Sequence, residues 1–252
     1  MSVSVLPFCF PGIPAVRCVF QTRTGGMSRG GYAIGNISFQ VGDHPEHVTA
    51  NRQSIAGMLH AQGMNCWAEL EQVHGDGMVF EPEATDVLAA NLAQGDGMAT
   101  SRPGLALLIK TADCQPILLA HKGGRHVAAL HAGWRGNRCN FPGSGVRRFC
   151  ERYGLDPRDV LAVRGPSLGP GKAEFVNFAR EWGPDWQPWF EETGRTMDLW
   201  GLTRCQLEDA GLLPRHIYGL DLCTADNNDL FFSYRCDRRS GRQAALVWIA
   251  AG

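Results

Sequence analysis

The stretch Leu105–Ala132, LALLIKTADCQPILLAHKGGRHVAALHA, holds three short apolar runs with no room for a helix between them. Leu105–Lys110, Pro116–Ala120 and His126–His131 each read as a strand, because apolar runs this short, bounded by turn residues, suit strands better than helices. The first run ends in Thr111-Ala112-Asp113-Cys114, and the last passes into His131-Ala132-Gly133-Trp134-Arg135-Gly136. Working outward, Val16–Thr22 alternates as a strand and Arg23-Thr24-Gly25-Gly26 forces a turn. Pro45–Leu59 reads as a helix, with Asp43 or His44 near its cap and Pro45 in its first turn. Cys66–Val73 and Met78–Phe80 read as strands. Further on, Gly143–Tyr153 and Ala173–Trp182 read as helices. Asp198 caps a helix running through Ala210, closed by Gly211 and Pro214, and Ala244–Ile249 is a closing strand. Strands and helices mix without a βαβ rhythm, so a mixed α/β (α+β) sheet fold is expected rather than a doubly wound parallel one.

The length of 252 residues suits one large domain or two small ones, and the absence of a linker or repeat favours a single domain over 1–252. A hydrophobic fraction of 44% with 19% charged residues is the balance of a soluble globular protein. The formal net charge of −1 argues against a nucleic-acid partner, which calls for a basic excess or patch. No run of 18 apolar residues occurs, so no membrane span is expected. The opening MSVSVLPFCFPGIPAV lacks a basic region and carries three prolines, which reads as an extended leader or edge strand rather than a secretory signal. Nine cysteines, an odd count with no C-x-x-C pair, fit a reducing cytosol, hence a cytoplasmic location.

Three segments at strand ends can carry chemistry: Gln72-Val73-His74-Gly75-Asp76, Thr111–Cys114 and His131–Gly136. A strand fixes the residue at its end, and a glycine exit lets a ligand approach backbone. His74, Cys114 and His131 together form an N2S donor set, which suits Zn²⁺ with one position open. They lie 40 and 17 residues apart in sequence, so spacing does not predict convergence. Read singly, they are two ordinary histidines and a buried thiol. A third reading is a Cys114–His131 thiolate–imidazolium dyad with Asp113 or another group orienting the histidine. His44-Pro45-Glu46 matches half of a deaminase signature, but its P-C-x-x-C half is absent. No H-E-x-x-H occurs. The anion-binding candidates are Arg135, Arg52 and Arg23, in that order, and the loop Gly165–Pro170 before a helix start.

Taken as an ordered set, the strings identify a resemblance. The carrying segments are Thr22-Arg23-Thr24-Gly25-Gly26-Met27-Ser28, Val41-Gly42-Asp43, Asn51-Arg52, Gln72–Asp76, Asp96-Gly97, Pro103–Ala106, Thr111–Pro116, His131–Gly136, Gly165–Pro170, Leu222-Cys223-Thr224 and Phe231–Arg235. The chain resembles the YfiH-type laccase-domain family, known both as multicopper polyphenol oxidases and as purine nucleoside phosphorylases. That resemblance implies an α/β/β/α sandwich and a zinc site at His74, Cys114 and His131. It also implies phosphorolysis of adenosine, and of inosine, guanosine and methylthioadenosine, to base and ribose 1-phosphate. Adenosine deamination and a cell-wall precursor editing role, the latter by a Cys–His hydrolase or amidase, belong to the same implied range. The partners are then a purine nucleoside and phosphate, on a monomer or small homo-oligomer. Asp113 would orient a ligand or move a proton, and Phe231, Phe232 and Tyr234 would offer a face to the base.

Eight histidines and no H-x-H pair argue against a four-copper laccase centre, although a single copper could take the N2S site, which keeps a laccase-like polyphenol oxidase as an alternative. Two departures from the family pattern stand out. Gly171-Lys172-Ala173 replaces two cysteines and an aromatic, and Cys223-Thr224-Ala225-Asp226 keeps only the first cysteine of a Cys-Thr-x-Cys segment.

Overall fold

The computed structural model describes residues 2–88 and 93–252. Two sheets hold the chain. The first contains β1 (Val5–Phe8), β2 (Val16–Gln21), β3 (Cys66–Glu69), β6 (Leu105–Thr111) and β13 (Gln243–Ile249). Their order is β1-β2-β13-β6-β3, antiparallel except for the β6/β3 pair. The second contains β4 (Met78–Phe80), β5 (Gly97–Thr100), β7 (Gln115–His121), β8 (Val127–Ala132), β9 (Val160–Arg164) and β12 (Ile217–Gly219), ordered β12-β9-β7-β8-β5-β4. Among the described residues five α-helices accompany them: α1 (Pro45–His60), α2 (Trp134–Arg138), α3 (Phe141–Tyr153), α4 (Phe178–Glu181) and α5 (Leu199–Asp209). A small hairpin, β10 (Phe190–Glu191) with β11 (Thr196–Met197), stands apart from both sheets.

The layers follow from the period-two alternation of each strand. Val16, Cys18 and Phe20 of β2, Leu105, Leu107 and Ile109 of β6, and Ala245, Val247 and Ile249 of β13 face inward. They meet Leu118 and Ala120 of β7, Val127 and Ala129 of β8, and Leu161 and Val163 of β9 in one core between the sheets. The alternate residues face outward. Val19, Leu108, Leu246 and Trp248 pack under Ile55 and Leu59 of α1. Ile117, Leu119, Leu130 and Ala162 pack under Phe141, Val146 and Phe149 of α3 and Leu207 of α5. The order of layers is therefore α/β/β/α, as the resemblance implies. Because both faces of each sheet are covered, the central strands read as nearly unbroken apolar runs, and each buried Leu, Ile or Val contributes about 1.5–3 kcal/mol.

Most sequence expectations hold to within two residues. The N-terminal stretch forms β1, an edge strand, and Asp198 caps α5 by accepting from the Gly201 N–H. All nine cysteines are free thiols. Among the described residues no helix is long and apolar enough to cross a membrane.

Two expectations fail. The strand expected over Cys66–Val73 stops at Glu69. Beyond it the backbone turns away, and the Gln72 side chain takes its place by exchanging two hydrogen bonds with the Lys110 backbone, at 2.7 and 2.8 Å. The helix expected over Ala173–Trp182 shrinks to Phe178–Glu181. Its first half is extended instead, because Phe175 N–H donates to Arg195 and Met197 N–H to Ala173.

Candidate functional site

The three candidate ligands sit where the chain leaves or changes sheets. His74 lies in the crossing from β3 to β4, Cys114 in the crossing from β6 to β7, and His131 near the end of β8. The β7/β8 register pairs Gln115 with Ala132 and Pro116 with His131, which sets Cys114 beside the β8 exit. The ligand atoms of His74, Cys114 and His131 all lie within 4.8 Å of one another. The two imidazole rings stand edge to face with centroids 4.9 Å apart. Residues far apart in sequence thus converge, and no second cluster of this kind occurs among the described residues.

Asp96 ties the group together, and residue-by-residue reading gave it no role. It is fully buried, just ahead of β5. Its Oδ1 lies 2.8 Å from His131 Nδ1 and accepts from the His74 N–H at 3.0 Å. Its Oδ2 accepts from the Gly75 N–H at 2.7 Å and the Val73 N–H at 3.3 Å. One carboxylate therefore orients one histidine and shapes the loop bearing the other, leaving His131 Nε2 free to face the cluster. His74 itself has φ +59°, and a Cβ on Gly133 would meet Cys114 Sγ at 2.9 Å and His74 Cδ2 at 3.2 Å. Only glycine admits the close approach of those two ligands.

Electrostatics favours the ionised thiol. Burial works against a Cys114 thiolate, but the His131 charge and hydrogen bonds from both histidines outweigh it and hold the thiol below its ordinary value. Burial likewise opposes charge on His131, and the Cys114 thiolate with Asp96 outweighs it, raising the imidazole above its ordinary value. A thiolate between two imidazoles is the donor chemistry a zinc-type ion takes, with a position left open.

The cluster opens into a cavity of about 710 Å3 lined by both sheets' exits, including Trp134, Arg135, Phe175, Trp200, Tyr234 and Arg242. Arg135 lies over the Trp134 ring at 4.5 Å. Arg242, which sequence reading missed, is partly buried, and burial holds its guanidinium below the usual arginine range against the pull of Cys114 and Asp113. Its only sequence signal is its place just before the closing strand.

Arg52 and Arg23 do not line this cavity. Arg52 is buried inside α1's packing, paired with Glu69 and donating to Val87 and Ile37 carbonyls. Arg23 spends its guanidinium on the Ala33 and Asn228 carbonyls at 2.8 and 2.7 Å. Phe231 and Phe232 are core residues, whereas Tyr234 is exposed and lines the cavity.

Asp113, at φ +91°, lines the cavity, but its carboxylate accepts from Thr224 Oγ1 at 2.6 Å and from the Arg235 N–H at 2.7 Å. It anchors the segment carrying Tyr234, and the group that orients His131 is Asp96. In the Gly165–Pro170 loop, the N–H groups of Gly165, Ser167, Leu168 and Gly169 donate to Pro116, Leu222, Asp113 and Cys223, so they are spent within the protein. Lys172 faces solvent and pairs with Asp226 at 3.1 Å, joining the two segments that depart from the family pattern.

The family described as multi-copper polyphenol oxidoreductase laccase matches residues 17–250. The purine nucleoside phosphorylase YfiH of Escherichia coli is 32% identical over 99% of this chain and all of its own length. A purine nucleoside phosphorylase of Xylella fastidiosa is 35% identical, with 97% of this chain and 96% of that protein covered. Among solved structures, YlmD from Geobacillus stearothermophilus superimposes with a TM-score of 0.86 at 29% identity, covering 96% of this chain and 94% of its own. On the extent of these matches and on the shared layered fold, the chain belongs to the laccase-like polyphenol oxidoreductase family, the YfiH family.

Proposed function

We propose that this chain is a cytoplasmic, zinc-dependent purine nucleoside phosphorylase acting on adenosine, and on inosine, guanosine and methylthioadenosine. The observation that carries the reading is the convergence of His74, Cys114 and His131 in the lining of a cavity of about 710 Å3, which has room for a nucleoside together with phosphate. The names of the full-length relatives support the reaction class. Phosphorolysis forms a bond from a phosphate oxygen to ribose C1′ and breaks the bond from C1′ to the base. The electron pair leaves with the base, which takes up a proton. Arg135 and Arg242, which both line the cavity, are assigned to hold the phosphate, Arg242 through the guanidinium nitrogens not spent on the Ser240 and Gly241 carbonyls. Trp134 and Tyr234 are assigned to flank the base. Asp113 keeps the Tyr234 segment in place, and Asp96 keeps both histidines in place. His74, Cys114 and His131 would hold the zinc, which would supply a Lewis acid for developing negative charge. Adenosine deamination at the same site is the finer part of the proposal.

Incubation of adenosine with and without phosphate tests this. Adenine and ribose 1-phosphate should appear only with phosphate, and inosine formed without phosphate would mark deamination. Absence of base release in either condition would contradict the assignment.

One arrangement favours a second reading. Cys114, His131 and Asp96 form a thiolate, imidazolium and carboxylate chain of the kind used by Cys–His hydrolases. His74 has no part in that chemistry. An acyl group trapped on Cys114 would favour the hydrolase, and zinc protection of Cys114 against alkylation would favour the metal.

A further inference from the structure

The three candidate ligands are not held alike. The His131 ring is fixed from behind by Asp96 at 2.8 Å, and Cys114 is set by the β7/β8 register. The His74 ring has no such support. Its side-chain hydrogen bond among the described residues is to Cys114, inside the cluster, and the residue is exposed. Its place therefore depends on the backbone of the loop from Val73 to Gly77. His74 stands at φ +59°, a left-handed conformation that a residue other than glycine keeps only when its surroundings impose it.

The inner edge of that loop is fixed by Asp96-Gly97. The Asp96 carboxylate accepts from the Val73, His74 and Gly75 N–H groups, and the Gly77 carbonyl accepts from the Asp96 and Gly97 N–H groups at 2.9 and 3.0 Å. The outer edge is held by Arg148, from the middle of α3. Its Nη1 donates to the Asp76 carbonyl at 2.6 Å, and its Nη2 donates to Asp76 Oδ2 at 3.3 Å. One guanidinium thus grips both the backbone and the side chain of a residue two positions from His74, a forked geometry that lysine cannot copy. The helix behind it is firmly seated, with Phe141, Val146 and Phe149 buried against the second sheet. Arg148 itself lies outside the cavity lining.

We infer that Arg148 is a positioning residue for the metal site, acting through Asp76 to hold the loop that presents His74. The inference rests on the metal reading given above. Both partners of the Arg148–Asp76 pair are half-exposed, and ion pairs of that kind add little to overall stability. A merely structural pair would therefore leave metal affinity untouched. An effect of charge alone would have the opposite sign, because deleting a cation favours a bound metal cation. Only a positioning role makes metal binding weaker when Arg148 is removed.

The test compares wild type, Arg148→Ala, Arg148→Lys and, as a control, Arg147→Ala at the neighbouring exposed position of α3. Three quantities are read: zinc affinity by chelator competition, and, on metal-free protein, hydrogen–deuterium exchange across residues 72–77 and the melting temperature. Arg148→Ala should bind zinc about 10-fold more weakly, the low end of the range for groups that support metal ligands. Exchange at Val73, His74 and Gly75 should quicken, with the melting temperature unchanged. Arg148→Lys should recover part of the affinity, and Arg147→Ala should show no loss. Zinc affinity in Arg148→Ala equal to or above wild type, with loop exchange unchanged, would overturn the assignment, as would an equal loss in Arg147→Ala. Wild-type protein that takes up no zinc, with loop exchange still quickened in Arg148→Ala, would keep Arg148 as the restraint on the loop and overturn the metal reading.

Discussion

Replacing Asp96 by Asn keeps its shape and removes the charge on which His131 Nδ1 and three backbone N–H groups depend. The account predicts that Asp96→Asn lowers metal affinity about 10- to 100-fold, as losses in ligand-supporting groups commonly do. A chelator-competition titration measures it, and an unchanged affinity would mean that the carboxylate serves only the fold. Gly133→Ala belongs to the same scale. The added methyl would stand 2.9 Å from Cys114 Sγ, so the variant should lose metal while keeping its far-ultraviolet circular dichroism. The convergence of the ligands was expected from the family resemblance and not from local pattern, because His74, Cys114 and His131 lie 40 and 17 residues apart and β3 ends at Glu69, well before His74. The role of Asp96 was not expected, because its partners are 21 to 35 residues away and no local pattern reports them. Arg52 and Arg23 misled for the complementary reason. An arginine next to a recognisable motif looks the same whether it faces a cavity or, as here, is consumed by a buried carboxylate or by carbonyl oxygens.

At the scale of elements, α1 is joined to the first sheet by Arg52, which pairs with Glu69 on β3, and Lys110 of the neighbouring β6 pairs with the same carboxylate. Removing one partner leaves a charge buried without its full complement, so Arg52→Ala should cost about 3–5 kcal/mol in urea unfolding with metal content unchanged. Burial opposes ionisation of Glu69, but Lys110 and Arg52 outweigh it and hold its carboxyl below the usual glutamate range. A group with a lowered folded pKa contributes stability above its unfolded value, about 4.3, and loses that contribution as pH falls through the folded value. The urea midpoint should therefore fall on acidification below about pH 4.3, and Glu69→Gln should flatten that limb. Elements were legible where covered sheet faces made long apolar runs, as in β6, β7, β8 and β13, and where caps were explicit, as at Asp198. They were misread where a side chain replaces backbone, as Gln72 does beyond β3, and where extended segments pair with a distant hairpin, as Phe175 does with Arg195.

At the scale of the whole molecule, the stacking of the two sheets is what makes a site from scattered residues. The β3-to-β4 and β6-to-β7 crossings must each pass from one sheet to the other, and they do so beside the exit of β8, so His74, Cys114 and His131 meet at one end of the sandwich. Composition and strand rhythm were enough for a mixed α/β class. The layering came only with the family resemblance, because which sheet faces which is a long-range property. A metal held at the meeting point of both sheets should stabilise the whole, so chelation should lower the melting temperature of wild type and leave Cys114→Ala unmoved. The most direct measurement of the central claim counts metal per chain and phosphate-dependent adenine release together, in wild type and Cys114→Ala purified without added metal. The account predicts near-stoichiometric zinc and activity in wild type, both lost in the variant. Metal-free wild-type protein that phosphorolyses adenosine, or a Cys114→Ala variant that does so at the wild-type rate, would contradict it.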